Sequence, residues 1–354
     1  MHPENIKKIL IFRLSSIGDI VLTFPLIRAL RTHYPDAIID FVVKKQYAEL
    51  VSANPYLNHI WAFDTKAGLP GLMALKYAIR CTGYDLLLDV HRSLRSWYLR
   101  KLLFHPKILK YRKHLLKRWL LIVFKVNLFK NPVSIIQRYL DTVNGLGIDN
   151  EKRDLEIFIP PRTHKRIREV LRRHIQAGST MLIGFCPGAG FPTKRWPVQE
   201  FCKVGNYFMT RGNTQIVILG GAEDAALGEQ IRMNVCGPVF NACGLFSLLE
   251  STAVIARCNA VLTNDTGMLH TATALKKPTV ALFGPTTREM GYFPESEKVV
   301  VLEKNIPCRP CTHNGSHHCP EGHFSCMNKI SSEEVCAALE NLIGKERFNS
   351  LFVM

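Results

Sequence analysis

The feature that most constrains this chain is a repeated grammar. A short apolar run gives way to a polar or glycine-rich loop, and the loop opens into a pattern of helical period. In the first half the runs are "KILIF", "AIIDFVV", "HIWAF" and "YDLLLDV", with helical stretches such as "IVLTFPLIRALRTHY" and "YAELVSANP" between them. In the second half "MLIGFCPGAG", "TQIVILGGAED", "VFNACG", "AVLTNDTG" and "TVALFGPT" each read as a strand running into a loop. Such alternation predicts parallel sheets with crossover helices, that is, an α/β fold. Doubly wound sheets bind ligands beyond the carboxyl ends of their strands, which is where these loops would lie.

A length of 354 residues exceeds what one hydrophobic core usually supports, so two doubly wound domains facing each other across a cleft are expected. The proline-bearing stretch "IFIPPRTHK", Ile157 to Lys165, is the candidate linker. The boundaries drawn from it are 1–158 for a first domain and 159–330 for a second. A helix and tail over 331–354 are expected to pack back on the first domain.

Charge is distributed unevenly. The formal net charge is +17, and between Asp89 and Asp141 there is no Asp or Glu while 13 Lys and Arg occur. That segment calls for an anionic neighbour. In "HLLKRWLLIVFKVNLF" the cations are interleaved with Leu, Trp and Phe, the pattern of a basic amphipathic helix lying at a membrane surface. Its longest apolar run, "WLLIVF", is far short of the roughly 20 residues that cross a bilayer. Eleven scattered cysteines and a charged start, "MHPENIKK", that leads straight into a strand fit a reduced, cytoplasmic protein, at most peripheral on a membrane.

Several loops carry chemistry. "RLSSIGD" ends a first buried strand in a small polar turn, Ser15, Ser16, Ile17 and Gly18, followed by the lone carboxylate Asp19. Asp19 is either a helix cap or a general base. "TNDTGMLHT" sets Asp265, Thr266 and Gly267 just before a helix, where Asp265 or Thr266 caps it and free N–H groups form a phosphate seat. "GGAED" lets a backbone approach closely, and Glu223 or Asp224 can accept from ribose hydroxyls. "CPGAGFPTKRWP" offers Lys194 as a cation for a leaving diphosphate, or as a plain surface lysine. Neither a Walker motif nor a G-x-G-x-x-G after the first strand is present, which argues against a P-loop enzyme and a dinucleotide dehydrogenase.

Taken in order, "FRLSSIGDIVLTFPLIRALR", "PGAGFPTKRWP", "LGGAED", "TNDTGMLHTATALKKPTVALFGPT" and "IPCRPC…CPEGHFSCMNKIS" resemble the ADP-heptose:lipopolysaccharide heptosyltransferases of glycosyltransferase family nine. The resemblance runs from about residue 8 to about residue 340. It implies a GT-B fold with an amino-terminal acceptor domain and a carboxy-terminal ADP-sugar domain. The implied reaction is inverting transfer of a heptose from ADP-heptose to the inner core of lipopolysaccharide, at the cytoplasmic face of the inner membrane. No cofactor is required for the chemistry.

Carried over by position, the resemblance makes Asp19 the base and Lys194 the lysine beside the donor phosphates. Glu223 becomes the ribose acid, Phe246 the adenine platform and Asp265 the holder of sugar hydroxyls. Thr266, Gly267, Met268 and His270 fall at the diphosphate-side helix start. Ser15, Ser16 and Gly18 belong to the acceptor-side turn, and Arg92 and Arg95 would receive acceptor phosphates or carboxylates by forked hydrogen bonds. One departure stands out, because Ser134 occupies a position where many relatives carry histidine.

Other classes are weighed beside this one. A nucleotide-sugar epimerase would use the same donor half but needs no anionic acceptor groove. A zinc-linked nucleic-acid binder would use the charge and the cysteines but leaves the phosphate-type loops unexplained, so no nucleic-acid partner is expected. Cys308, Cys311, Cys319 and Cys326 admit a closed structural zinc site, although their spacing is not a standard zinc pattern.

Overall fold

The computed structural model describes residues 6–101, 106–148, 151–176 and 181–351, with side chains to 344. Two compact units emerge. The first comprises Met1–His114 with Val133–Phe158, and the second Leu115–Pro132 with Ile159–Met354.

In the first unit, β1 (Lys8–Phe12) leads into α1 (Ile17–Val21) and α2 (Phe24–His33), followed by β2 (Ile38–Lys44), α3 (Ala48–Ser52), β3 (His59–Phe63), α4 (Gly68–Thr82), β4 (Leu86–Asp89), α5 (Leu94–Arg100) and β5 (Lys107–Lys110). After α6 (Leu115–Phe124), which is grouped with the second unit, α7 (Ile135–Leu140) returns to the first. The sheet order is β3-β2-β1-β4-β5, every pairing parallel. Such a sheet is covered on both faces, so its central strands read as unbroken apolar runs. Ile9 to Phe12 and Leu86 to Leu88 are accordingly fully buried.

The second unit runs α8 (Pro161–His174), β6 (Met181–Cys186), α9 (Val198–Met209), β7 (Thr214–Ile218), α10 (Ala225–Asn234), β8 (Val239–Asn241), α11 (Leu248–Ile255), β9 (Ala260–Asn264), α12 (Gly267–Ala274), β10 (Thr279–Phe283), β11 (Val299–Glu303), α13 (Ser325–Asn328) and α14 (Ser332–Leu351). Its order, β11-β10-β9-β6-β7-β8, is again parallel throughout. In both sheets the first strand lies between two neighbours reached in opposite directions, which opens a ligand crevice at its carboxyl end. The turn after β1 and the loop after β6 stand at these two switch points.

Three expectations change. The basic segment 115–132 is grouped with the second unit rather than the first, because its polar side chains bond there: Arg118 Nη2 donates to Met290 O at 3.1 Å and Lys125 Nζ to Cys308 O at 2.7 Å. The carboxy-terminal helix, expected to pack back on the first domain, has its described side chains in the second unit: α14 packs on α9, β9 and β10, where Val335, Cys336, Leu339 and Leu342 complete that unit's apolar cluster. The stretch read as a linker also holds the start of α8, whose Pro161 is at the first helical position, where a missing N–H costs nothing.

Candidate active site

Consider first the turn after β1. Ser16, with extended backbone, is the N-cap of α1, and Asp19 is the third residue of that helix. The Asp19 carboxylate folds back on the turn: its Oδ2 accepts from Ser16 Oγ at 2.9 Å and, at 3.4 Å, from the Ser16 N–H. Capping is therefore a real part of what this side chain does. The same Oδ2 pairs with Arg13 Nη2 at 2.6 Å, and the Tyr139 hydroxyl approaches Oδ1 at 3.4 Å. The Asp19 side chain is 12% exposed, well covered but not sealed.

Arg13 also donates Nη1 to Val90 O at 2.8 Å, tying the β1 turn to the end of the neighbouring strand β4. There Asp89, fully buried, organises the next loop by accepting from the N–H of Arg92 at 2.7 Å and from Ser96 Oγ at 3.1 Å, with Arg100 Nε at 3.1 Å. The loop leaves Arg92 and Arg95 exposed. Arg92 takes a left-handed backbone, φ 50°, and its guanidinium donates to Tyr111 O at 3.0 Å. His91 has an Nδ1 buried without a partner, and its pKa falls from the usual 6.5 to about 3. Burial is the main cause, followed by the cations Arg13, Lys113 and Lys44, with Asp19 opposing them. Ser134 is the N-cap of α7, where its Oγ accepts from the Gln137 N–H at 3.3 Å, and α7 in turn carries Tyr139.

At the switch point of the second sheet, between β6 and β9, Lys194 Nζ meets Asp265 Oδ2 at 2.7 Å. The same oxygen accepts from Thr286 Oγ1 at 2.8 Å. The two side chains of the pair are 14% and 5% exposed. Fully buried Asn264 fastens the loops around it: its Nδ2 donates to Pro187 O at 2.7 Å and its Oδ1 accepts from the Trp196 N–H at 3.2 Å. Thr266, not Asp265, caps α12, accepting from the Met268 N–H at 3.3 Å. Gly267 opens the helix with no side chain over its first turn, and His270 faces inward, 3% exposed, 6.3 Å ring to ring from Tyr292.

The acidic pair in "GGAED" divides. Asp224 turns inward, accepting from the Gly221 N–H at 3.2 Å, and burial raises its pKa against the pull of that N–H and of Arg195. A side chain at Gly188 or Gly220 would overlap Asp224, so glycine is needed at both for the close approach. Glu223 is left exposed. Phe246, half-buried, packs on the cluster under α11 with Phe240 edge-on at 6.4 Å.

The cysteine-rich segment braces these loops. Ser316 N–H donates to Thr193 Oγ1 at 2.8 Å next to Lys194, and Arg309 Nη2 donates to Thr286 O at 2.7 Å while pairing with Glu303 at 2.6 Å. Cys308 Sγ lies 3.8 Å from His323 Nε2. Burial and then the neighbouring Cys308 push the Cys311 thiol up to about 12. No three His, Cys, Asp or Glu among the described residues are grouped to hold an ion, so the zinc site that the four cysteines admit gains no geometric support.

Sequence reasoning passed over Tyr139, His91 and Thr286, and left Arg13 without a role. Arg13 and Thr286 lie inside the quoted motifs, in "FRLSS" and "FGPT", so a polar residue flanking each turn was the available signal. Tyr139 and His91 had none.

Two doubly wound units, each with an ion-paired carboxylate at the switch point of its sheet, place the chain in the class of two-domain α/β proteins. The family model described as glycosyltransferase family 9 (heptosyltransferase) matches residues 72–320, and the chain belongs to that family. It is 28% identical over 312 residues to lipooligosaccharide heptosyltransferase 2 of Haemophilus influenzae, covering 83% of this chain and 88% of the relative. To lipopolysaccharide heptosyltransferase 2 of Salmonella typhimurium it is 28% identical over 352 residues, 96% and 99% of the two chains. A solved family 9 glycosyl transferase from Veillonella parvula superposes with TM-score 0.83 at 26% identity over 98% of each chain. The E. coli ADP-heptose lps heptosyltransferase II shares the fold, with TM-score 0.76 at 24% identity over 96% and 99%.

Proposed function

We propose that this glycosyltransferase moves a heptose from ADP-heptose to the inner core of lipopolysaccharide, with inversion at the anomeric carbon. The observation that carries the residue roles is the pair of ion-paired carboxylates at the switch points of the two sheets, Arg13–Asp19 and Lys194–Asp265. An acceptor hydroxyl is a weak nucleophile at neutral pH, so Asp19 takes its proton as the new glycosidic bond forms. Arg13 and Ser16 hold Oδ2 and the Tyr139 hydroxyl stands beside Oδ1, which orients the carboxylate for that proton transfer.

The bond that breaks joins the anomeric carbon to the β-phosphate oxygen, and the electron pair leaves with ADP. Lys194 and the N–H groups that open α12 at Gly267 and Met268 meet that growing charge. Asp265 steers Lys194 and accepts from the sugar hydroxyls. Glu223 serves the ribose, Phe246 the adenine, and Arg92 and Arg95 the anionic groups of the acceptor. His270, packed behind the diphosphate seat, supports it. The acceptor is lipid-linked, so the enzyme works at the cytoplasmic face of an anionic inner membrane; no helix among the described residues is long and apolar enough to cross one.

Family membership places the chemistry in transfer rather than epimerisation. The test follows ADP release on mixing the protein, ADP-heptose and heptose-deficient inner-core acceptor. ADP formed only when acceptor is present supports the reading. An epimerised nucleotide sugar without acceptor, or equal ADP release in its absence, overturns it.

A further inference from the structure

The basic helix α6 is inside out. Its charged Arg118 is buried, 5% exposed, with its guanidinium on the Met290 carbonyl, and Leu121 lies beside it. The apolar side chains stand in solvent instead: Leu115, Leu116, Trp119, Val123 and Phe124 are 51–67% exposed. Leu115, Trp119 and Val123 recur every fourth residue, so they form one stripe. A helix that met only its own protein would carry the opposite arrangement. Polar anchors hold it in this attitude, with Lys125 Nζ on the carbonyls of Cys308 at 2.7 Å and Pro310 at 2.8 Å, and Asn127 Nδ2 on Glu289 Oε1 at 3.0 Å.

The surroundings say what covers the stripe. Lys117 and Lys130 are exposed beside it, and the sequence from 90 to 140 holds no acidic residue. A second copy of a chain with net charge +17 would bring like charge against like, while an acidic lipid surface supplies both an apolar interior and phosphates at the right depth. Trp119 adds a side chain suited to the headgroup boundary.

We propose that α6 docks the protein on an anionic phospholipid bilayer, with Leu116, Trp119 and Val123 entering the headgroup boundary and Lys117 and Lys130 meeting lipid phosphates. This rests on the proposed function only for the natural source of the bilayer. Binding to vesicles is read without donor or acceptor, so its failure leaves the transfer reaction standing.

The experiment is flotation of the full-length protein with vesicles of phosphatidylcholine alone or mixed with phosphatidylglycerol. Wild type is expected to float with the anionic vesicles and stay behind with the neutral ones. The variant L116S/W119S/V123S should float at least about ten-fold less at unchanged melting temperature, while M233S, an exposed apolar site elsewhere, floats like wild type. As a second variant, K117E/K130E keeps the apolar stripe and should lose the preference for phosphatidylglycerol. Equal recovery of wild type on both vesicles, no flotation at all, or flotation of both multiple variants like wild type overturns the proposal. So does a wild-type dimer in sedimentation that the triple variant dissolves without any change in vesicle binding.

Discussion

Asp19 and Asp265 form a matched pair of contrasts. Each follows the first or fourth parallel strand of its sheet at a switch point, and each is ion-paired, at 2.6 Å to Arg13 and 2.7 Å to Lys194. Asp19 is held mainly by near neighbours in sequence, Arg13 and Ser16, and keeps 12% of its side chain exposed. Asp265 is held by Lys194 and Thr286, 71 and 21 residues away, and keeps 5%. A carboxylate held largely by its own turn can stay partly open to a substrate. One clamped between two loops of different strands serves better to orient its partner. Under the proposed function, Asp19 is the reacting group and Asp265 the positioning group.

The most severe way to break the contrast is Asp19→Asn. Loss of a general base lowers kcat by roughly 10²–10⁴-fold, with ADP affinity nearly unchanged, as measured by steady-state turnover and calorimetry. If Asp265→Asn matched that loss in kcat with the same intact ADP binding, the division of labour would be wrong.

Next comes Lys194→Ala, which strands the buried Asp265 carboxylate and should cost about 3 kcal/mol of stability as well as donor use. The double variant K194A/D265N removes the stranded charge. It should regain most of the stability in denaturant melts while donor affinity stays weak; recovery of both would show that Lys194 only braces the loop.

A smaller effect is expected from the cationic surroundings of the Asp19 turn. His91 has a folded pKa of about 3 against 6.5 unfolded, so below pH 6.5 the unfolded chain binds a proton that the folded one refuses. Stability is therefore full above about pH 6.5 and declines as pH falls toward 3, by about 2 kcal/mol at about pH 5. His91→Gln should flatten this part of the pH profile in urea titrations, and an unchanged slope would remove His91 from the account.

The smallest expected change is for Tyr139→Phe, whose long contact to Asp19 Oδ1 is worth about 0.5–1 kcal/mol, a few-fold in kcat at constant KM for the donor.

How much of this was legible varies with the range of the interactions. The apolar runs on which β1, β2, β4, β6, β7, β9 and β10 are built stood out because parallel strands buried on both faces leave no polar alternation to confuse the reading, while the partly buried edge strands β3 and β8 were legible from their place in the alternation with helical stretches. The edge strands β5 and β11 did not: "KILK" lies within the basic segment, and both are only partly buried. The Asp19 turn could be read as cap or base, and the structure shows the capping contacts outright. The choice of Thr266 over Asp265 as the cap of α12 could not be read, because it depends on Lys194 and Thr286 drawing Asp265 away.

The sequence by itself determined the two parallel sheets, the loops at their carboxyl ends and the residue types that line them, since period and turn chemistry are local properties of a chain. Tertiary structure alone decided which unit α6 belongs to, where α14 packs, and that Arg118 turns inward while Trp119 turns out. Those outcomes depend on carbonyls and apolar surfaces tens of residues or more away in sequence, such as Met290 for Arg118, beyond any local window along the chain.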